Sequence, residues 1–172
     1  FDKDNSMPVC DTKSYIDEVL SVKKELCGDL DVFLGCEYDY FSSGVDLSDF
    51  EYIIGAVHYV EKDGVIICAD EEEHSVVRFV NEHFGGDFYK YCKAYYEYVA
   101  KLCDKVDFDI IAHFDLVTKY NDGGKYFDET SSKYMIPALE AAEHLIKKGK
   151  LFEINTSGLY RGGRKRMSPG KM

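Results

Sequence analysis

Four short apolar runs constrain this chain more than any other feature. Each closes on, or just before, a side chain that can bind a metal or carry a proton. Residues 32–37 end in Cys36-Glu37, residues 52–58 in Val57-His58 and residues 108–113 in Ala112-His113, while residues 151–155 carry Glu153 and Asn155. Short apolar runs of this kind read as strands buried on both faces. Stretches with helical period lie between them, and strands alternating with helices are the signature of an α/β fold with a parallel sheet or barrel. In a parallel barrel the C-terminal strand ends form the rim where active sites lie.

The intervening pattern can be read residue by residue. Asp11 and Thr12 can cap a helix with Tyr15, Ile16, Val19 and Leu20 on its apolar side and Gly28 as its stop. Phe41 to Gly44 is a loop, and the apolar segment 65–68 fits either element type. Asp70 with Glu73 forms a variant capping box that opens a helix carrying Val76, Val77, Phe79 and Val80, closed by Gly85-Gly86. Asp87 caps a further helix through about Cys103, with Tyr95, Tyr96, Val99 and Leu102 as a core stripe. Asn121 to Gly124 is a loop, and Ser131 caps a helix ending near Gly149, in which Pro137 marks a kink or the first turn. The last strand, 151–156, places Glu153, Asn155 and Ser157 on one face. The expected organisation is a single domain over residues 1–172.

Composition narrows the function classes. A net charge of -11 repels nucleic acid at long range, yet a bound cation could still admit a small anionic substrate. No stretch approaches the roughly 18 apolar residues of a membrane span, and no signal-type leader is evident. Six cysteines without a CxxC spacing indicate a reduced, cytoplasmic protein, with Cys36, Cys68, Cys92 and Cys103 as small core residues. The basic residues Arg161, Arg164, Lys165, Arg166 and Lys171 form either a solvated tail or an anion-binding loop.

Glu37, ending a buried strand, needs a metal, an arginine or a proton to offset the cost of burying its charge. His58 or His113 alone would be an ordinary core histidine. The three together, at equivalent ends of parallel neighbours, point to a shared metal site. Asp115, two residues beyond His113, suits a role orienting a ligand. His74, His83 and His144 read as surface or packing groups, and Tyr38, Tyr40, Tyr89 and Tyr120 as packing groups.

At these residues the chain resembles the PHP (polymerase and histidinol phosphatase) family, and within it the histidinol-phosphate phosphatases. The resembling segments are residues 34–37, 50–60, 112–117 and 151–161. The resemblance implies a distorted (β/α)7 barrel and up to three Zn, Mn or Fe ions at its rim. It implies hydrolysis of a small phosphorylated substrate, L-histidinol phosphate, in histidine biosynthesis. By it Glu37, His58 and His113 are metal-binding catalytic residues. Arg161 binds the phosphate, and Asn155 and Ser157 line the substrate pocket.

The family's opening H-x-H strand and closing D-x-H strand have no counterpart here. The chain is therefore expected to be an internal piece of a longer enzyme, with fewer metals and doubtful activity by itself. Its open barrel edges would invite pairing with another copy. The alternatives are another phosphoesterase of the same family, acting on phosphotyrosine or nucleic acid, a metal-independent glycosidase using Glu37 and Glu153, and a non-catalytic protein.

Overall fold

A computed structural model describes residues 6–160 and 166–170. Its centre is a four-stranded parallel sheet built from β1 (Gly35–Asp39), β2 (Tyr52–Ala56), β5 (Ile110–Ile111) and β6 (Leu151–Phe152), in that spatial order. The α/β class and the parallel pairing are as expected. In the described residues β1 and β6 are the two edges of the sheet. Registers run Gly35↔Tyr52, Ile54↔Ile110 and Ile110↔Leu151, which lays the C-terminal ends of all four strands along one side.

The helices are α1 (Thr12–Glu25), α2 (Glu73–Phe84), α3 (Phe88–Lys105), α4 (Ser132–Lys147) and the short α5 (Ser157–Tyr160), with single 3-10 turns at Val9–Asp11 and Leu116–Thr118. Capping explains three of the boundaries. Asp87 accepts from the Tyr89 and Lys90 N–H groups, Ser131 accepts from Lys133 N–H, and Gly85 ends α2 in the left-handed conformation. Pro137 lies inside α4, not in its first turn.

Packing centres on α3. Its Tyr91, Tyr95, Tyr96, Val99 and Leu102 are buried against Tyr134, Ala138, Ala141 and Leu145 of α4 and against the sheet. The small alanines let the two helices approach closely, and the Tyr96 and Tyr134 hydroxyls meet at 2.8 Å in the interior. A Cβ on Gly55 of β2 would lie 2.7 Å from Phe108 and 2.8 Å from Leu102, so this strand can rest on α3 only with glycine there.

One open element is settled and several local expectations are corrected. The segment 65–68 is β4 (Val65–Cys68), paired antiparallel with β3 (Tyr59–Lys62) through Asp63-Gly64, both at positive φ as a type I′ turn requires. Asp70 does not cap α2; Glu72 precedes that helix, without a side-chain capping bond. Asp11 likewise stands before α1 without one. The last strand is shorter than expected: after Phe152 the ladder ends with Glu153 N–H on Ile111 C=O, and Asn155 instead bridges Ser168 in antiparallel fashion. Of the four cysteines expected in the core only Cys92 is buried; Cys36, Cys68 and Cys103 are partly exposed.

Candidate metal centre

β1 continues two residues past Glu37. Glu37 and Asp39 therefore share one face of the strand at its C-terminal end. β2 ends at Ala56, and His58 follows two residues later. β5 ends at Ile111, and His113 again follows two residues later. Parallel register turns this equal offset into convergence. Glu37 Oε1 lies 3.3 Å from His58 Nε2 and 3.8 Å from His113 Nε2, and the two Nε2 atoms are 3.1 Å apart. The imidazole rings meet edge to face at 4.7 Å between centroids.

These separations fit a metal ion. Bonds of about 2.0–2.2 Å in a four-coordinate tetrahedral shell place adjacent ligand atoms about 3.3 Å apart. The Glu37–His58–His113 triad brackets that spacing and supplies the nitrogen and carboxylate donors that zinc, manganese and iron accept. The side chains are 47% exposed at Glu37, 26% at His58 and 15% at His113, so the cluster opens to solvent on the carboxylate side.

The electrostatics suit a ligand set. His113, 3.8 Å away, is the largest influence holding the Glu37 carboxyl below its ordinary pKa, and the charges of both histidines help it against the opposing effects of burial and Asp39. Burial, the largest single influence on His58, pulls its pKa down. The bond to Asp39 and the charges of Asp39, Glu37 and Asp70 together outweigh it, and the net shift is upward.

Asp39 escapes a reading of the runs alone. Its Oδ2 accepts from the His58 backbone N–H at 2.8 Å and lies 3.1 Å from His58 Nδ1. A carboxylate on Nδ1 fixes the tautomer that turns the Nε2 lone pair toward the cluster. The available signal was the period-two relation to Glu37, once the strand is allowed to run on.

The other expected site residues lie in two groups. Glu153 Oε2 accepts from the His113 backbone N–H at 2.8 Å, and its Oε1 accepts from Asn155 Nδ2 at 3.3 Å. Asn155 Oδ1 takes the Ser157 N–H and hydroxyl at 2.9 and 2.6 Å. Glu153, Asn155 and Ser157 thus form one hydrogen-bonded chain leading to His113. Asp115 is buried, accepting from the Ser168 hydroxyl and from Gly170 N–H at 2.7 Å, and so holds the 166–170 segment. Arg161 lies outside the described residues.

A cleft of about 1130 Å³ opens in front of Glu37, Asp39 and His58 and extends past Cys68, Asp70 and Tyr120. Burial favours a neutral Asp70, but the Cys68 thiol, 2.8 Å away, together with Lys119 and the two histidines, lowers its pKa on balance. Burial and then Asp70 push the Cys68 thiol up to about 12.

No protein-family model matches the chain. It is 30% identical over 152 residues to a protein of Deinococcus radiodurans named "probable histidinol-phosphatase", covering 84% of this chain and 52% of that one. It is 25% identical over 176 residues to the histidinol-phosphatase of Bacillus subtilis, covering 94% of this chain and 65% of the relative. The solved structure of a Listeria monocytogenes chain assigned as a histidinol phosphatase superposes with a TM-score of 0.78 at 21% identity, over 95% of this chain and 65% of that one. The chain is similar to these proteins in sequence or fold over most of its length, and spans about half to two thirds of theirs. Among the described residues, no helix is long and apolar enough to cross a membrane.

Proposed function

We propose that this chain carries the central part of a metal-dependent phosphomonoesterase site of the PHP type, acting on L-histidinol phosphate to give L-histidinol and phosphate. The observation that carries the reading is the Glu37–His58–His113 cluster, whose donor atoms sit at metal-shell spacing on the C-terminal side of a parallel sheet. Similarity to histidinol-phosphatases supports the substrate.

Zinc, manganese or iron, as one ion or several, would supply an activated water and neutralise phosphate charge. The residues of this chain do the rest. Asp39 orients His58 and fixes its tautomer. Glu37, held ionised, offers a negative donor on the open side of the cluster. Asp70 with Glu71 and Glu72, beside Phe41, Tyr59 and Tyr120, gives the far side of the cleft an acidic and aromatic lining suited to a cationic imidazole or amine. Arg161 is proposed to grip the phosphate as a bidentate donor, and Asn155 and Ser157 to border the substrate. The net charge of -11 weighs against a nucleic-acid substrate. The sheet edges at β1 and β6 are proposed to allow pairing with a second copy.

Phosphate release from L-histidinol phosphate by the metal-loaded chain, compared with Glu37→Gln and with a chelator-treated sample, tests the reading. Release lost with Glu37→Gln and with chelator is the expected result. Chelator-insensitive release, or release unchanged by Glu37→Gln, would overturn it.

A further inference from the structure

The two histidines of the cluster are held from behind in the same way. Each stands two residues beyond an inner strand of the sheet, His58 after β2 and His113 after β5. Each has its backbone N–H taken at 2.8 Å by a carboxylate of the adjacent outer strand: Asp39 of β1 for His58, and Glu153, one residue past β6, for His113. The last ladder bonds beside His113 are Ala112 N–H to Gly55 C=O and Glu153 N–H to Ile111 C=O. The His113 amide is thus the next group along, and a side-chain oxygen stands where a strand carbonyl would otherwise be.

The demand is greater at His113. Its φ is +24°, within the left-handed region that a residue with a Cβ adopts only at a cost. Such a conformation persists when the surroundings over-determine it. His58 has a second anchor, its Nδ1 against Asp39. His113 Nδ1 has no hydrogen-bond partner among the described residues. On the side away from the cluster, the His113 backbone is held by Leu116 N–H on its carbonyl and by Glu153 on its amide. The other Glu153 oxygen is taken by Asn155, which is itself fixed by Ser157 and by its bridge to Ser168.

From this geometry we infer that Glu153 is a positioning residue: its oxygen holds the His113 backbone in the left-handed geometry that aims Nε2 at His58 and Glu37, through reach and not through charge. The inference rests on the metal-centre reading above and assigns Glu153 a role distinct from that of a ligand or a nucleophile.

Two conservative substitutions separate reach from charge. Glu153→Gln keeps the length and one acceptor oxygen and loses the charge, together with the weaker Asn155 bond. Glu153→Asp keeps the charge and retracts the oxygen by one methylene. Cobalt(II) titration of the full chain gives both an affinity and a visible spectrum sensitive to ligand geometry, and a thermal melt reports the fold. The expected pattern is wild-type affinity within about threefold for Glu153→Gln, and an affinity lower by about 10–100-fold with an altered spectrum for Glu153→Asp. The reverse order, loss in both variants, or wild-type behaviour in both would overturn the inference. Failure of the wild-type chain to bind cobalt would overturn the metal-centre reading instead, and this inference with it.

Discussion

Replacing Asp39 by Asn tests how the centre is arranged in advance. The carboxylate receives three contacts: Phe41 N–H on Oδ1 at 2.7 Å, His58 N–H on Oδ2 at 2.8 Å, and His58 Nδ1 beside Oδ2 at 3.1 Å. An amide has one acceptor oxygen. If that oxygen faces His58, the amide nitrogen meets the Phe41 N–H, donor against donor. If it faces Phe41, both His58 contacts are lost and Nδ1 must accept. The ring proton then moves to Nε2, on the side where Glu37 and His113 stand. Either arrangement strands one or two part-buried donors, at about 1–3 kcal/mol each. Some backbone relaxation leaves an expected destabilisation of about 2–3 kcal/mol. For a chain of this size that lowers Tm by roughly 4–12 °C. Metal affinity falls by about 10–100-fold, the range measured for partners that orient ligands. The assays are a thermal melt of the metal-free protein and a cobalt titration. An Asp39→Asn protein that melts within about 1 °C of wild type and binds cobalt equally well would refute the argument.

Two further outcomes follow from the packing and the electrostatics. Gly55→Ala drives a Cβ to within 2.8 Å of the buried Phe108 and Leu102, and is expected to cost about 1–3 kcal/mol in urea denaturation; an unchanged midpoint counts against the packing account. Cys68, with its pKa raised to about 12, keeps its thiolate fraction at pH 8.5 on the order of a thousandfold below that of an ordinary cysteine. Its alkylation by iodoacetamide, followed by mass spectrometry, should lag far behind that of the exposed Cys10 and Cys27 and rise only as the pH climbs toward 12. Labelling at an equal rate near pH 8 would contradict that environment.

Much of the site was legible in the sequence because its ligands hang from locally recognisable objects. The apolar runs ending at Glu37, His58 and His113 are strands or lead directly out of strands, and parallel pairing makes equal offsets converge. The hairpin of β3 and β4 was also marked, by the Asp63-Gly64 pair, which a search for long apolar runs passes over. Glu153 and Asn155 meet through the Asn155 amide, but beyond the two-residue strand their other partners could not be read. Whether a carboxylate beyond a two-residue strand takes a neighbour's amide or faces a cavity depends on where the ladder stops, and that is set by tertiary packing. Asp70 misled for a related reason. Its spacing to Glu73 matches a cap, but the chain between them serves the cleft, and the carboxylate pairs with Cys68 and Lys119. Of the basic residues near the end of the chain, Arg166 reaches Glu129 at 2.5 Å.

The two cross-strand carboxylate–amide bonds also bear on how such a centre can change over generations. Asp39 and Glu153 also take the Phe41 N–H and the Asn155 amide, but the bond each makes to a histidine backbone is what links its position to the metal cluster. Positions 39 and 58 form one heritable unit, and positions 113 and 153 another. Descendants that abandon the metal should be free to lose both members of a pair. Descendants that keep it should retain an acceptor oxygen of the same reach at positions 39 and 153.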